Sequence, residues 1–205
     1  MSRELFSGTL LGLILAYLIG AIPVGFVVAR CVGGLDIRRA GSGNIGATNV
    51  LRTLGKLPAI ITLLGDVAKG YLAVSAAGVL VPAPWGAAAG AVLAVVGNCW
   101  PAFVRFRGGK GVATGFGAFL ALTPWATAPA ALVWLVVIAS FRYVSLASIM
   151  ACLCLPLGVA LLGYRWESAG AAAAAAGVII LRHRGNLQRL AMGCEPRLGE
   201  RASPA

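Results

Sequence analysis

The sequence predicts an all-α, polytopic integral membrane protein with seven transmembrane helices, its N-terminus outside and its C-terminus in the cytoplasm. Three observations carry this. Of 205 residues, 60% are apolar and only 11% charged, against roughly a quarter charged in a soluble domain, so one soluble core cannot hide that much apolar surface. The apolar residues come in runs near the ~20 residues that a helix needs to span ~30 Å of hydrocarbon. The basic residues fall in short segments between those runs, as in cytoplasmic loops beside anionic headgroups.

In chain order, the runs and their breakers place helices near 5–31, 57–81, 85–104, 112–123, 124–141, 144–163 and 166–182. The first is far longer than the 7–15-residue apolar core of a secretory signal and reads as a retained helix. The second carries Asp66 and Lys69, whose i, i+3 spacing puts them on one face where each neutralises the other. An ion pair supporting the site is the first reading, substrate contact the second. The fourth run, 112–123, has 12 residues, which rise only ~18 Å, so a re-entrant piece competes with a crossing.

Charge decides for the crossing. Seven spans put Arg30, Arg38, Arg39, Arg52, Lys56, Arg105, Arg107, Lys110, Arg142, Arg182, Arg184, Arg189, Arg197 and Arg201 inside, leaving outside Arg3 and Arg165, each near an acid, Glu4 and Glu167. Without the fourth crossing, Arg142 and the arginine-rich C-terminus would lie outside, against the positive-inside tendency. The last span is rich in Gly and Ala from Ala169 to Gly177 and permits close packing, on a helix of the same chain or on a second protomer. Residues 1–205 form a single membrane-embedded domain, and the oligomeric state is left open.

A net charge of +11 would suit nucleic acid, but its distribution follows membrane topology, so no nucleic-acid partner is expected. The five cysteines, Cys31, Cys99, Cys152, Cys154 and Cys194, show neither a disulfide framework nor metal-ligand spacing. The only acids on the cytoplasmic side are Asp36, Glu195 and Glu200, too few to hold a divalent ion well. No metal and no cofactor are expected.

Four cytoplasmic stretches carry the polar chemistry. Gly41 to Arg52 satisfies G-x-G-x-x-G and has Asp66 at the right distance, but a dinucleotide fingerprint needs a strand before it and a βαβ unit around it. What remains is a glycine-rich segment whose amides, Ser42, Asn44, Thr48, Asn49 and Arg52 suit an anion. Arg105 to Thr114 holds three cations and three glycines at the start of a helix. It is no Walker A loop, because Gly111 follows Lys110, yet a helix N-terminus beside a lysine is an anion site. Ser145 and Ser148 share a helix face after Arg142, where serines commonly bond their own i−4 carbonyl. Arg182 to Glu195 contains His183, the one histidine in the chain and a natural general base. Two phosphate-friendly loops, a histidine and a membrane location suggest a polar phosphorylated substrate meeting a lipidic one. A transporter or anion channel is the rival class, without any internal repeat to support it.

Ser42-Gly43-Asn44-Ile45-Gly46-Ala47-Thr48-Asn49 with Arg52, Gly108-Gly109-Lys110-Gly111-Val112-Ala113-Thr114, Arg142-Tyr143-Val144-Ser145-Leu146, and His183-Arg184 with Asn186 resemble the bacterial acyl-phosphate:glycerol-3-phosphate acyltransferases, the PlsY family. The resemblance covers essentially the whole chain in order, Asp66 and Lys69 included. It implies a seven-helix enzyme of the bacterial cytoplasmic (inner) membrane, its active site facing the cytosol. Such an enzyme transfers a fatty acyl group from long-chain acyl phosphate to the 1-hydroxyl of glycerol 3-phosphate, giving lysophosphatidic acid and inorganic phosphate for phospholipid synthesis. Carried over by position, it implies catalytic roles for His183, Arg52, Lys110 and Asn186. Substrate binding would fall to Ser42, Gly43, Asn44, Thr48, Asn49, Gly108, Gly109, Gly111, Ser145, Ser148 and Glu195. One departure stands out: the family usually has Gly-His before the proline of its third span, where this chain has Gly97-Asn98. Gly185 and Cys194 also replace residues that are commonly bulkier or hydroxylic.

Overall fold

Proline and glycine set most helix ends. The computed structural model describes residues 3–200, so Arg201 and the side chains of Arg3 and Glu4 lie outside the described residues. The elements are α1 (Arg3–Ala21), α2 (Val24–Gly33), α3 (Ala47–Leu54), α4 (Lys56–Leu80), α5 (Gly86–Cys99), α6 (Val112–Leu122), α7 (Pro124–Phe141), α8 (Val144–Leu161), α9 (Trp166–Arg182) and α10 (Arg184–Ala191). Short 3₁₀ turns occupy Ile37–Arg39 and Ala102–Val104. Among the described residues all regular structure is helical.

The single helix expected over 5–31 is broken in two at Pro23. Proline has no N–H to continue the ladder and disfavours α geometry at the residue before it. The carbonyl of Ile22 is freed there and accepts from the Lys69 ammonium at 2.7 Å. The third run likewise stops being α-helical at Cys99, just before Pro101, and turns through Ala102–Val104. Two stretches expected as loops contain helices instead: Thr48, Asn49 and Arg52 stand on α3, and Asn186 and Arg189 on α10.

Five helical segments are long and apolar enough to cross a membrane: Ser7–Gly33, Lys56–Leu80, Gly86–Val104, Pro124–Phe141 and Val144–Leu161. Helices α6, with 11 residues, and α9, with 17, are shorter. Close backbone approach compensates α6 for its length. A methyl on Gly70 of α4 would overlap the Thr114 carbonyl of α6, and one on Gly117 of α6 would overlap the Val67 carbonyl of α4. Small residues at such crossings let dispersion contacts do the work that the hydrophobic effect cannot do in lipid.

The main core gathers Val95 and Cys99 of α5, Phe119 of α6, Ala126 of α7, Cys152 and Val159 of α8, and Ala171, Ala172, Ala175, Ala176 and Ile179 of α9. The small-residue face of the last span thus packs against α5 and α8 of the same chain. Outward, Leu57, Ile60 and Leu64 of α4, Leu132 and Leu135 of α7, and Leu153, Leu157 and Leu161 of α8 are exposed, the reverse of a soluble surface. Trp125 and Trp166 are also exposed, as expected of interfacial aromatics.

The Asp66–Lys69 pair forms as expected, at 2.6 Å with both side chains almost fully buried. Lys69 spends its other protons on the Ile22 carbonyl at 2.7 Å and on Asn98 Oδ1 at 2.9 Å. One ammonium therefore joins the α1–α2 break, α4 and the end of α5.

Candidate active site

A cavity of about 1260 Å³ opens where α3, α10 and the loop before α6 meet the ends of α8 and α9. Its polar end is lined by Ser42, Asn44, Thr48, Asn49, Arg52, Lys110, Gly111, Ser145, Ser148, His183, Asn186 and Glu195. Its other end runs between Phe116 and Phe119 of α6, Ala130, Trp134 and Leu135 of α7, and Ala151 and Leu155 of α8. A charged end joined to an apolar one fits a ligand that is part phosphate and part hydrocarbon.

The first glycine-rich segment is organised by Asn49. Its amide donates to the carbonyls of Ile37, Ala40 and Asn44 at 2.8–3.3 Å and accepts from the Ser42 amide at 2.9 Å, so its hydrogen-bonding capacity is spent on the loop itself. Asn44 Oδ1 similarly takes the Gly46 N–H at 2.8 Å. Gly43 turns the chain at φ +71° and lies away from the cavity lining. The Ser42 side chain is exposed at the mouth. Arg52, one α3 turn beyond Thr48, reaches the Pro196 carbonyl at 3.4 Å through one terminal nitrogen, while its Nε is buried with no partner. A buried guanidinium N–H left unpaired is costly and is suited to an anion.

Gly108 and Gly109 are not part of the lining; they hold the Lys110 loop in place. The Gly109 N–H donates to the Asn98 carbonyl at 2.9 Å. On the other side, Arg182 donates to the carbonyls of Gly109 and Gly108 at 3.1 and 3.3 Å and stacks over Trp100. Gly111 takes φ +83° just before α6, where a side chain would be strained.

Lys110 Nζ donates to Asn186 Oδ1 at 2.7 Å, Asn186 donates to Glu195 Oε1 at 2.6 Å, and Ser145 Oγ donates to the same oxygen at 2.7 Å. Arg189 completes the cluster at 2.8 Å from Oε2. Burial opposes the Glu195 charge, but the hydrogen bonds from Asn186, Ser145 and Arg189 outweigh it and hold the carboxyl below its ordinary range. Burial pushes the Lys110 ammonium down to about 8, Glu195 resists this, and Arg189, Arg52 and Arg182 add to it. Ser148 behaves differently from Ser145: its hydroxyl bonds its own i−4 carbonyl, Val144, at 2.7 Å and accepts from Trp134 at 3.3 Å.

His183 sits at the junction of α9 and α10, only 2% exposed. Its Nδ1 lies 2.8 Å from the Ile179 carbonyl, so the proton belongs on Nδ1 and the lone pair on Nε2. Burial, together with repulsion from Lys110, pushes its pKa down to about 4, keeping the ring neutral at physiological pH.

The chain after α10 folds back over the start of α8. The Leu198 N–H donates to the Arg142 carbonyl at 2.7 Å, Arg142 returns a bond to the Leu198 carbonyl at 2.8 Å, and Arg197 reaches the Tyr143 hydroxyl at 3.3 Å. This strap carries Glu195 into the cavity. Sequence reasoning marked Arg182 and Arg189 only as cytoplasmic charges. The position of Arg182 beside His183 was a usable signal, whereas nothing local pairs Arg189 with Glu195.

The chain as a whole is similar to one group of known proteins. Residues 10–193 match the family model described as glycerol-3-phosphate acyltransferase. Glycerol-3-phosphate acyltransferase 2 of Moorella thermoacetica is 46% identical over 94% of this chain and 99% of its own. The glycerol-3-phosphate acyltransferase of Bordetella pertussis is 45% identical over 92% of this chain and 91% of its own. The crystal structure of PlsY (YgiH), an integral membrane glycerol 3-phosphate acyltransferase in its glycerol 3-phosphate form, superposes with a TM-score of 0.88 at 40% identity, covering 93% of this chain and 96% of that one. A second crystal structure of PlsY, in its lysophosphatidic acid form, gives 0.84 at 38% identity, covering 93% and 95%.

Proposed function

The chain belongs to the glycerol-3-phosphate acyltransferase family, and we propose that it transfers a long-chain acyl group from acyl phosphate to the 1-hydroxyl of glycerol 3-phosphate. The products are lysophosphatidic acid and inorganic phosphate. The observation that carries this reading is one cavity whose cationic end, Arg52 and Lys110, leads into the apolar channel between α6, α7 and α8. A phosphate sits at the first and an acyl chain extends along the second.

Acyl phosphate is a mixed anhydride with a good leaving group, so direct attack by the glycerol hydroxyl needs no covalent acyl-enzyme. The protein then has to hold both substrates in attack geometry, stabilise charge on the carbonyl oxygen and departing phosphate, and remove one proton. Arg52 and Lys110 meet the charges. His183 Nε2 takes the proton, since Nδ1 is committed to Ile179. A serine nucleophile is disfavoured: Ser145 faces a carboxylate held below its usual range, which is a poor base, and Ser148 is tied to its own helix.

Topologically, the reading is a seven-crossing protein of the bacterial inner membrane, N-terminus outside, with Lys110, His183 and Glu195 on the cytosolic side. The positive-inside distribution of arginine supports it. The reaction requires no metal or cofactor. The test is purified protein in detergent with acyl phosphate, glycerol 3-phosphate, or both, following inorganic phosphate. Release that depends on both substrates is expected; release from none of the three mixtures, or equal release with acyl phosphate alone, would refute the assignment.

A further inference from the structure

Asn98, at the cytoplasmic end of α5, is 5% exposed and lines the cavity beside Lys110 and Gly111. Its side chain has a fixed orientation. The Lys69 ammonium lies 2.9 Å from Oδ1, and an ammonium is a donor only, so the oxygen of the amide must face Lys69 and the NH2 must face away. Nδ2 accordingly faces Gly109: a methyl built on Gly109 would lie 2.8 Å from it, against 3.6 Å from Oδ1. The Asn98 main chain is tied to the same place, accepting the Gly109 N–H at 2.9 Å. Among the described residues no acceptor bonds Nδ2. An oriented donor on a nearly buried side chain therefore stands without a protein partner at the cavity wall, next to the loop that carries Lys110. The nearest acid, Asp66, also lines the cavity, but its carboxylate is paired with Lys69 at 2.6 Å.

Resting on the acyl-phosphate reading above, we propose that Asn98 is a substrate-binding residue, its Nδ2 donating to a phosphate oxygen of the acyl phosphate held by Lys110. The Asp66–Lys69 pair is then the device that sets the amide the right way round. Any side chain that offers an acceptor to Lys69 and an N–H on its opposite side meets the same requirement, and a neutral imidazole does so.

The test uses the purified full chain in detergent, inorganic phosphate as probe, and the variants Asn98→Asp and Asn98→His. Asp keeps an oxygen for Lys69 but replaces the donor with a second oxygen; His keeps both roles. The unfolding temperature of the wild type rises with added phosphate. N98D loses that rise, and its KM for acyl phosphate increases about 10- to 100-fold, the worth of one hydrogen bond to a charged group, with a smaller change in kcat. N98H retains the rise and a KM close to wild type. A merely structural tie between α4 and α5 predicts no loss in N98D, because Asp preserves that tie. A wild-type phosphate response in N98D, its loss in N98H, or its absence in the wild type overturns the proposal. Should N98D not accumulate as folded protein, Asn98→Leu takes its place with the same two readings. The phosphate response is independent of acyl transfer. A chain that is stabilised by phosphate in an Asn98-dependent way but releases none from the two substrates refutes the proposed reaction alone.

Discussion

Lys110, on the loop before α6, and Asn186, on α10, are joined by a hydrogen bond of 2.7 Å between Nζ and Oδ1. Because Asn186 Nδ2 donates in turn to Glu195, neither end of the amide is free, and the cation is positioned through a neutral link to an anion. Asn186→Asp puts a carboxylate against Glu195 and pairs Lys110 internally, drawing it away from phosphate. We expect N186D to lower kcat/KM for acyl phosphate about 10- to 100-fold, and by more than N186A does. Steady-state kinetics on both variants decide it; N186D equal to wild type would discard the relay.

If His183 Nε2 is the base of the proposed reaction, His183→Ala removes it and should reduce kcat on the order of 10²–10⁴-fold with little change in either KM. A residual rate within a few-fold of wild type assigns the proton to a substrate phosphate oxygen instead. Because burial pushes the imidazole down to about 4, His183 stays unprotonated above that pH, and kcat/KM should show no acid limb near the ordinary histidine value.

On the proposed mechanism, the basic limb belongs to Lys110. Its ammonium is pushed down to about 8, and the charged form binds phosphate, so kcat/KM should fall as pH rises through about 8. This profile reports the free enzyme. Lys110→Arg stays charged throughout and should lose that limb, whatever its absolute rate; an unchanged limb in K110R would assign it to another group.

Glu195→Gln tests the strap. Three donors converge on this carboxylate, and weakening them should destabilise the folded chain by about 1–3 kcal/mol. A group whose folded pKa is depressed lends stability above its unfolded value and loses it as pH falls. The wild type should therefore lose stability as pH drops below the ordinary carboxyl value of 4.5, and E195Q should lose less over the same interval. Thermal unfolding of both proteins between neutral and acidic pH measures this.

Hydropathy located the apolar runs because lipid imposes a length and a composition on anything that crosses it. The i, i+3 spacing was enough to pair Asp66 with Lys69, since that contact lies within one helix. Three things escaped such local reasoning. The first run hid its break because residues on both sides of Pro23 are apolar, and the Ile22 carbonyl, besides the Val24 N–H, takes a second donor 47 positions away. Ser145 and Ser148 are indistinguishable by spacing; what separates them is Glu195, 50 positions further on. Helices α3 and α10 were obscured because each has only eight residues and includes Asn or Gly, whose helix propensity is low.

The strap that carries Glu195 comes after every apolar run in the chain. During synthesis, α6 and the Lys110 loop enter the bilayer while Glu195 is still unmade. A nascent chain thus presents its cations before it has the carboxylate that organises them. On the proposed reaction, a chain truncated before Glu195 should insert yet lack activity, because Ser145, Asn186 and Arg189 would have no common acceptor.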